Sequence, residues 1–310
     1  QPIPSIAGYE TQFQNIGQTS NRGVELALDA YIINTNDFNL SANFNIAFNR
    51  NKIVDLGTNP DGSLIKKVIS PRGGTGGRGY VGDQNALIVG YPLGGAYGYI
   101  FEGTYKNEEE IENGPEPTKS PGDSKLKDLN GDGIIDSDDR TMISDPNPDF
   151  IAGLTNRFSF KGLDLSIFLQ AVYGNELFSW DHFDLSQTNG MGNSMPWALN
   201  SWSEDNPYSN IPRAGWDKRS KGMSTFHVED GSFLRVKNIT LGYNFPVQKW
   251  NRSFQQLRVY FSMDNFFTFT SYSGYNPDVS RYGSNSISAG FDEGVYPLAK
   301  TVMLGLNVKF

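Results

Sequence analysis

Cysteine is absent from the 310 residues, and histidine occurs only at His182 and His227. The absence of cysteine excludes disulfide scaffolds, cysteine-ligated zinc and thiol nucleophiles. Two histidines are too few for a multi-histidine metal centre or a histidine proton relay. Charged residues make up only 19% of the chain, and 26 basic against 34 acidic side chains give a net charge of −8. Because nucleic-acid-binding proteins normally present a basic face to phosphates, we expect no nucleic-acid partner.

Long hydrophobic runs are absent as well. The longest uncharged, largely apolar stretch covers residues 86–101 and contains Pro92 and four glycines. It falls short of the roughly 20 residues that a membrane helix needs. The chain begins with Gln1 and shows no basic or apolar leader, so we expect a mature product or a piece of a longer protein. What the chain does have is 34 glycines, 16 prolines and 13% aromatic residues, a composition that favours strands and turns over helices.

Apolar and polar residues alternate with a period of two in five stretches. They cover residues 24–33, 38–48, 163–172, 257–264 and 302–310. On a helix this spacing would spread the apolar side chains around the whole cylinder, so the pattern predicts strands. Most of these stretches exceed the 5–6 residues or so of ordinary soluble strands. They match the roughly 9–11 residues of a tilted strand that crosses a bilayer.

One face of each predicted strand is apolar and the other carries Asn, Ser, Asp or Lys. This division is typical of an outer-membrane barrel, whose strands face lipid outside and a wet lumen inside. A soluble sandwich with one solvated face shows the same alternation and stays open as an alternative. Long polar segments at residues 57–79, 102–148 and 175–226 favour the barrel, which places long loops on one side of the membrane. The sequence therefore predicts an all-β protein of about eight to ten antiparallel transmembrane strands with long extracellular loops.

The polar faces of these strands predict a path for cargo. The candidates for contacting or hydrating it are Asn39, Asn43, Asp164, Gln170, Arg258 and Asp264. No nucleophile–base pattern stands out, and translocation needs no bond chemistry in the polypeptide. We therefore expect a protein that is not an enzyme and has no catalytic residue.

A calcium-loop pattern begins at Asp128. Such a loop places oxygen ligands at positions 1, 3, 5, 7, 9 and 12, with glycine at position 6 for the sharp turn. The corresponding residues are Asp128, Asn130, Asp132, Ile134 (through its carbonyl), Asp136 and Asp139, with Gly133 at the turn. Asp139 departs from the usual glutamate, and flanking prolines exclude the paired helices of the common calcium-binding hand. The pattern predicts a structural Ca²⁺ ion that staples a long loop, with an acidic turn held by its own hydrogen bonds as the alternative.

Four of the five tryptophans lie in the long segment 175–226. They are Trp180, Trp197, Trp202 and Trp216. Exposed aromatic side chains on a polar loop are suited to stacking on sugars or docking a protein. The alternative, which we favour, is that they form the small core of the loop itself or belong to an aromatic girdle at the membrane surface.

Several stretches, in this order, resemble the C-terminal part of the SusC/RagA-type TonB-dependent outer-membrane transporters. The first reads VGYPLGGAYGY at residues 89–99, and the second, residues 122–136, includes the calcium-loop pattern. The others are residues 145–150 with 161–170, 202–207 with 211–213, 229–243, 264–270, 272–278 and the strand that ends at Phe310. Gly305, Val308 and Phe310 also resemble the end-strand signal that barrel-assembly machinery recognises.

The resemblance implies a plugged barrel of the roughly 22-stranded class in the outer membrane of a Gram-negative bacterium. It also implies import of bulky nutrients, usually oligosaccharides and in some members peptides, with energy from the TonB complex and with a SusD-like surface lipoprotein as partner. No plug can be read in these residues, and open barrel edges would leave unpaired backbone groups in lipid. We therefore expect residues 1–310 to be the C-terminal part of a barrel whose plug and remaining strands lie elsewhere.

Two rival classes remain open at this stage. One is a soluble, calcium-dependent carbohydrate-binding β-sandwich module with aromatic loops. The other is a small, self-closed barrel of eight to ten strands. The position of the apolar faces distinguishes the sandwich from both barrels, because a sandwich buries them against a second sheet.

Overall fold

A computed structural model describes residues 17–70, 84–186, 193–215, 222–247, 255–278 and 286–310. Seven long strands form one antiparallel sheet. They are β1 (Gln18–Asn34), β2 (Phe38–Asp55), β9 (Phe150–Phe160), β10 (Leu163–Tyr173), β13 (Phe233–Phe245), β14 (Gln256–Thr270) and β16 (Thr301–Lys309). Their order across the sheet is β1-β2-β9-β10-β13-β14-β16. All five alternating stretches of the sequence are strands of this sheet, which confirms the predicted all-β antiparallel architecture.

The remaining elements are short and lie in the connections between long strands. The strands are β3 (Lys67–Ser70), β4 (Asn85–Ile88), β5 (Tyr97–Gly98), β6 (Phe101–Thr104), β7 (Ser124–Leu126), β8 (Thr141–Met142), β11 (Glu176–Ser179), β12 (Val228–Asp230) and β15 (Phe291–Asp292). The helices are α1 (Glu108–Glu112) and α2 (Trp180–Leu185). Among the described residues no helix has both the length and the hydropathy to cross a membrane.

Strand register aligns the apolar side chains into continuous rows. One row, which crosses six strands, consists of Leu28, Phe44, Leu154, Leu169, Val236 and Phe267. The face that carries these rows, called the apolar face below, is open to its surroundings: Leu26 is 58% exposed and Leu304 is 76% exposed. In a sandwich a second sheet would bury this face, so its exposure argues against the soluble alternative.

The two ends of the sheet differ. At one end the connections are short: three residues between β1 and β2, the pair Lys161–Gly162 between β9 and β10, and ten residues between β13 and β14. Both residues of this pair have positive φ, 46° and 91°, as in the type I′ turns of two-residue hairpins. Three long connections leave the sheet at the other end. They cover residues 56–149, 174–232 and 271–300, and together we call them the loop cap. The predicted separation of tight turns from long loops is therefore confirmed.

The hydrophobic core lies in the loop cap, outside the main sheet. Phe178 is its centre, with ring centroids 5.2 Å from Trp180 and 5.8 Å from Phe291. The other buried members are Ala96, Ile143, Phe183 and Met223. β11 holds the parts together, because it pairs with β12 on one side and with the sequence-distant β15 on the other. The three connections thus fold into one packed body.

Candidate functional site on the polar face of the sheet

The second face of the main sheet, called the polar face below, carries all six residues predicted to line a substrate path. Asn39 lies opposite Ser159, and Ser159 lies opposite Asp164. A second row consists of Asp29, Asn43, Thr155, Phe168, Asn238 and Asp264. Gln170 lies two residues from Phe168 on β10, and Arg258 lies six residues from Asp264 on β14. Since side chains alternate between the faces of a strand, both belong to the polar face as well. The structure therefore brings these residues to one surface, and their contact with cargo stays a prediction.

Hydrogen bonds between neighbouring strands fix several of these side chains. The Asn39 amide donates to Ser159 Oγ at 3.3 Å, and the Asn43 amide donates to the carboxylate of Asp29. The Asn238 amide donates to Asp264 Oδ1 at 2.6 Å. Such pairs satisfy part of the hydrogen-bonding capacity of the face and leave the rest for water or cargo.

Arg258 and Asp164 form a two-point ion pair on this face. Arg258 Nε lies 3.1 Å from Asp164 Oδ1, and the Nη2 atom bonds to Oδ2. The Asn244 amide also donates to Asp164 at 3.1 Å. Two parallel N–H···O bonds fix the orientation of both groups, so this ion pair is a rigid part of the polar face.

Arg235 is a buried charge that the sequence did not single out. Its side chain is 1% exposed and donates to Asn276 Oδ1 at 2.6 Å and to Thr268 Oγ1 at 3.1 Å. It also pairs with Asp278 at 3.2 Å and lies over the ring of Phe233 at 4.6 Å. Alternation places Arg235 on the polar face, but its partners Asn276 and Asp278 come from the loop after β14, which no local pattern reveals. Arg235 therefore ties the loop cap to the sheet.

The predicted calcium loop is organised by hydrogen bonds from its own backbone. Asp128 accepts from the N–H groups of Gly131 at 2.6 Å and Gly133 at 2.8 Å. The bond from Gly133, followed by that from Gly131, holds the pKa of Asp128 below its usual range. Asp132 accepts from the Ile134 N–H at 2.9 Å. The Asp128 carboxylate is thus held in its ionised form, and Asp128 and Asp132 lie along one tight turn, as in the first half of a calcium loop.

Asp139 plays a different part in the same loop. It is fully buried, and its two oxygens accept from the N–H groups of Leu129 and Asp136, each at 2.8 Å. In the described part of the chain, no three acidic or histidine side chains converge closely enough to hold a metal by themselves. A Ca²⁺ ion would also need the amide of Asn130 and the carbonyl of Ile134, so the metal stays a prediction.

The loop tryptophans divide between core and surface. Trp180 is 1% exposed and belongs to the core of the loop cap, as the favoured interpretation expected. Trp197 packs edge-on against His182 at 5.0 Å, and Trp202 lies against Gly122, where any side chain would collide with its ring. Trp216 lies outside the described residues. Docking of sugars or proteins on the half-buried rings of Trp197 and Trp202 stays untested.

The two histidines lie side by side in the loop cap. His182 Nδ1 is 3.3 Å from Glu229 Oε1, and the same carboxylate accepts from the backbone and hydroxyl of Ser273. Burial alone would raise the pKa of Glu229, but the bonds from His182 and Ser273 lower it. His227 is completely enclosed, and burial, with the neighbouring His182, lowers its pKa to about 3. His227 is therefore neutral, and Glu229 joins α2 to the loop after β14.

The three residues that resemble an assembly signal lie on β16. Gly305 stands opposite Tyr260, and any side chain there would overlap the tyrosine ring, so the glycine makes room for it. Val308 and Phe310 have the parity of the apolar face, and Phe310 is 75% exposed. Recognition by assembly machinery stays a prediction.

Comparison with known proteins finds relatives that match this chain over nearly its full length. No family model matches. TonB-dependent receptor P3 of Formosa agariphila is 34% identical over the whole chain, and TonB-dependent receptor SusC of Bacteroides thetaiotaomicron is 30% identical over 99% of it. The solved RagAB peptide transporter covers the whole chain with a TM-score of 0.77 and 25% identity. The chain spans only 30% and 28% of the two receptors and 31% of the RagAB chain, somewhat under a third of each.

Proposed function

Because this chain belongs to the SusC/RagA family of TonB-dependent receptors, we propose that it is the C-terminal barrel part of an outer-membrane nutrient importer. The observation that carries the proposal is the open apolar face, with its aligned rows, on a sheet similar throughout its length to a barrel transporter. Lipid covers that face, and the polar face lines the route of the cargo. The relatives are named receptors and transporters, which fits the expectation that this protein is not an enzyme.

The partners follow from the same relationship. Seven long strands leave two open edges at β1 and β16 among the described residues, and unpaired backbone is costly in lipid. We infer that further strands and a plug of the same transporter complete the barrel, and that the TonB complex supplies energy through parts outside this chain. A SusD-like surface lipoprotein would sit on the side of the loop cap.

The cargo is an oligosaccharide or a peptide. The RagAB relative is named a peptide transporter, and the resemblance to SusC/RagA transporters implies oligosaccharides as the usual cargo of the family. Both kinds of cargo are bulky and polar, which suits a wide, water-lined route. The charged and amide side chains of the polar face can form hydrogen bonds with either class of cargo.

Growth and uptake test this function directly. A strain that lacks the full-length gene is grown on a panel of glycans and peptides and complemented with the intact gene. We expect loss of growth on one cargo class, restored by the gene, and loss of uptake when TonB is inactivated. Normal uptake of every nutrient in the deletion strain, or uptake that persists without TonB, would contradict the proposal.

We also propose that the loop Asp128–Asp139 binds Ca²⁺ as a structural ion. Its support is the ligand spacing and the donor set, which consists of oxygens only, as calcium prefers. The bound ion would offset the repulsion between Asp128, Asp132 and Asp136 and hold the connection between β7 and β8.

Two asparagine variants separate the ion from the turn. Asp132→Asn keeps an oxygen to accept from Ile134 N–H but removes a ligand charge, so it should abolish calcium protection of residues 102–148 against protease. Asp139→Asn should open the loop with or without calcium, because one backbone N–H would lose its acceptor. Equal protease sensitivity with calcium and with chelator in the unmodified protein would refute the metal.

A further inference from the structure

A cavity of about 320 Å³ lies where the polar face meets the loop cap. Gln170 of β10 and Phe233 of β13 belong to its floor, and Pro146, Pro148 and Pro277 of the loop cap belong to its walls. The floor residues have the parity of the polar face, because Gln170 stands opposite Arg235 and Phe233 opposite Val172. The cavity therefore lies on the proposed cargo route, at its loop end.

The walls suit an aliphatic group better than a sugar ring. Besides the three prolines, the aliphatic side chains of Ile151, Val172 and Leu177 line the cavity. Its one aromatic residue is Phe233, and the guanidinium of Arg235 already lies over that ring at 4.6 Å. A sugar would need an open aromatic face for stacking, whereas a methylene chain only needs apolar walls.

The lining contains several hydrogen-bond acceptors. Asn175 is 7% exposed, and its Oδ1 atom is buried without a hydrogen-bond partner in the described part of the chain. Asp278 contributes a half-exposed carboxylate, and Gln170 adds an amide. Because an unpaired buried acceptor is costly, the occupant that stabilises this site brings donors.

The surroundings are negatively charged. Four carboxylates lie in the lining or next to it in sequence: Asp145, Asp149, Glu176 and Asp278. Two of them are paired with arginines, Asp149 with Arg50 at 2.6 Å and Asp278 with Arg235 at 3.2 Å. The other two have no cationic partner among the residues that the structure describes. Two carboxylates without a cationic partner, next in sequence to the lining, favour a cationic occupant over a neutral or anionic one.

We propose that this cavity is a subsite for the lysine-type side chain of a peptide cargo. The apolar walls cover the methylene stem, and Asn175, Gln170 and Asp278 offer acceptors to the three N–H groups of the ammonium. The inference rests on the proposed import function and assigns its cargo to the peptide class.

Two capped peptides that differ in one charge test the proposal. Acetyl-Ala-Lys-Ala-amide and its norleucine counterpart are titrated calorimetrically into the full-length receptor in detergent. We expect the lysine peptide to bind about tenfold more tightly, with the difference shrinking as salt is raised. Equal affinities would overturn the subsite, and so would tighter binding of a glucosamine oligomer that displaces the lysine peptide.

Matched variants locate the effect. Asp145→Asn combined with Glu176→Gln keeps acceptor oxygens but removes two charges, and should weaken the lysine peptide several-fold without changing the norleucine peptide. Glu204→Gln removes an exposed carboxylate outside the lining and should change neither. Ala289→Leu fills the cavity and should abolish the preference for lysine. A preference that survives both the charge variant and the filled cavity would refute the assignment.

The outcome for the subsite is distinguishable from that for the function. A receptor that supports TonB-dependent growth on a nutrient but shows no lysine preference refutes the subsite alone. Loss of TonB dependence for every nutrient refutes the import function itself.

Discussion

Arg258 reaches across β13 to Asp164 on β10, and the ion pair lies directly over Gly242. The two charged residues are on strands that are not neighbours, so the strand between them must leave room. A Cβ atom at Gly242 would lie 2.5 Å from Arg258 Nη2 and 2.7 Å from Asp164 Oδ2. The glycine is therefore required by the charge pair rather than by backbone conformation.

Gly242→Ala should destabilise the barrel, although alanine is ordinarily the better strand residue. We expect a loss of about 1–3 kcal/mol, because the added methyl separates the two-point ion pair. The loss of stability is measured as a lower thermal midpoint for unfolding of the full-length receptor, followed by the heat-dependent shift of its band on a gel. Gly153→Ala is the control, since its added carbon meets only the side-chain amide of Asn45, at 3.0 Å. Equal midpoints for the two variants would contradict the interpretation.

Neighbouring residues on β10 test which face meets lipid. Ile167 belongs to the apolar face near the middle of the strand, and Ser166 belongs to the polar face. Ile167→Arg should cost about 2–4 kcal/mol on folding into lipid bilayers, while Ser166→Arg should cost much less. Folding yields in vesicles measure both variants. A larger loss for Ser166→Arg would reverse the assignment of the two faces.

The tight turn between β9 and β10 offers a pair of opposite effects. Lys161 has a φ of 46°, which is strained for a side-chain-bearing residue, so Lys161→Asn should raise the thermal midpoint slightly. Gly162→Ala should lower the thermal midpoint, because alanine at a φ of 91° is strained and costs about 1–2 kcal/mol of folding free energy. Its Cβ would also lie 2.9 Å from the carbonyl oxygen of Asn244. Changes of the same sign in both variants would contradict the turn geometry.

His227 predicts that the loop cap loosens in acid. Its pKa is about 3 in the folded protein and 6.5 without burial, so the unfolded cap takes up a proton that the folded cap does not. Stability therefore falls as the pH drops below about 6.5, by at most about 1.4 kcal/mol per pH unit, until about pH 3. Hydrogen exchange of residues 222–228 at pH 7 and pH 5 measures the loss.

His227→Phe provides the matched comparison for this titration. Phenylalanine fits among the rings of Phe178, Phe183 and Phe226, which surround the histidine, and cannot be protonated. The variant should lose most of the pH dependence, and the lowered pKa of Glu229 accounts for a remainder at more acidic pH. An unchanged slope would show that another group controls the acid response.

The sequence predicted the strands whose two faces differ in polarity. In β2 every second residue from Phe38 to Phe48 lies on the apolar face, so the pattern is visible without any knowledge of neighbouring strands. β9 was not predicted, because Ile151 lies on the polar face and Asn156 on the apolar face, which blurs the alternation. β13 was missed for another reason: an extra residue near Lys237 shifts its register against β10 and breaks the period. The expected eight to ten strands compare with seven in the main sheet of the described residues.

Contacts between distant segments set the limit of prediction in the loop cap. Asn85 donates to the hydroxyl of Ser288 and the carbonyl of Ile287, some 200 residues further along the chain. No sequence pattern near Asn85 predicts these partners. The burial of Arg235 depends in the same way on the loop after β14. The sequence could indicate a calcium loop, because its ligands are local, but not a cavity whose walls come from three connections.

The parallel pairing of β11 with β15 has a consequence for biosynthesis. Phe291 follows Phe178 by more than a hundred residues, yet it completes the packing around Phe178 and Trp180. Because a ribosome makes Phe178 long before Phe291, the earlier rings stay unshielded until β15 has emerged. A product truncated before Phe291 would therefore expose an aromatic surface that quality-control proteases could recognise.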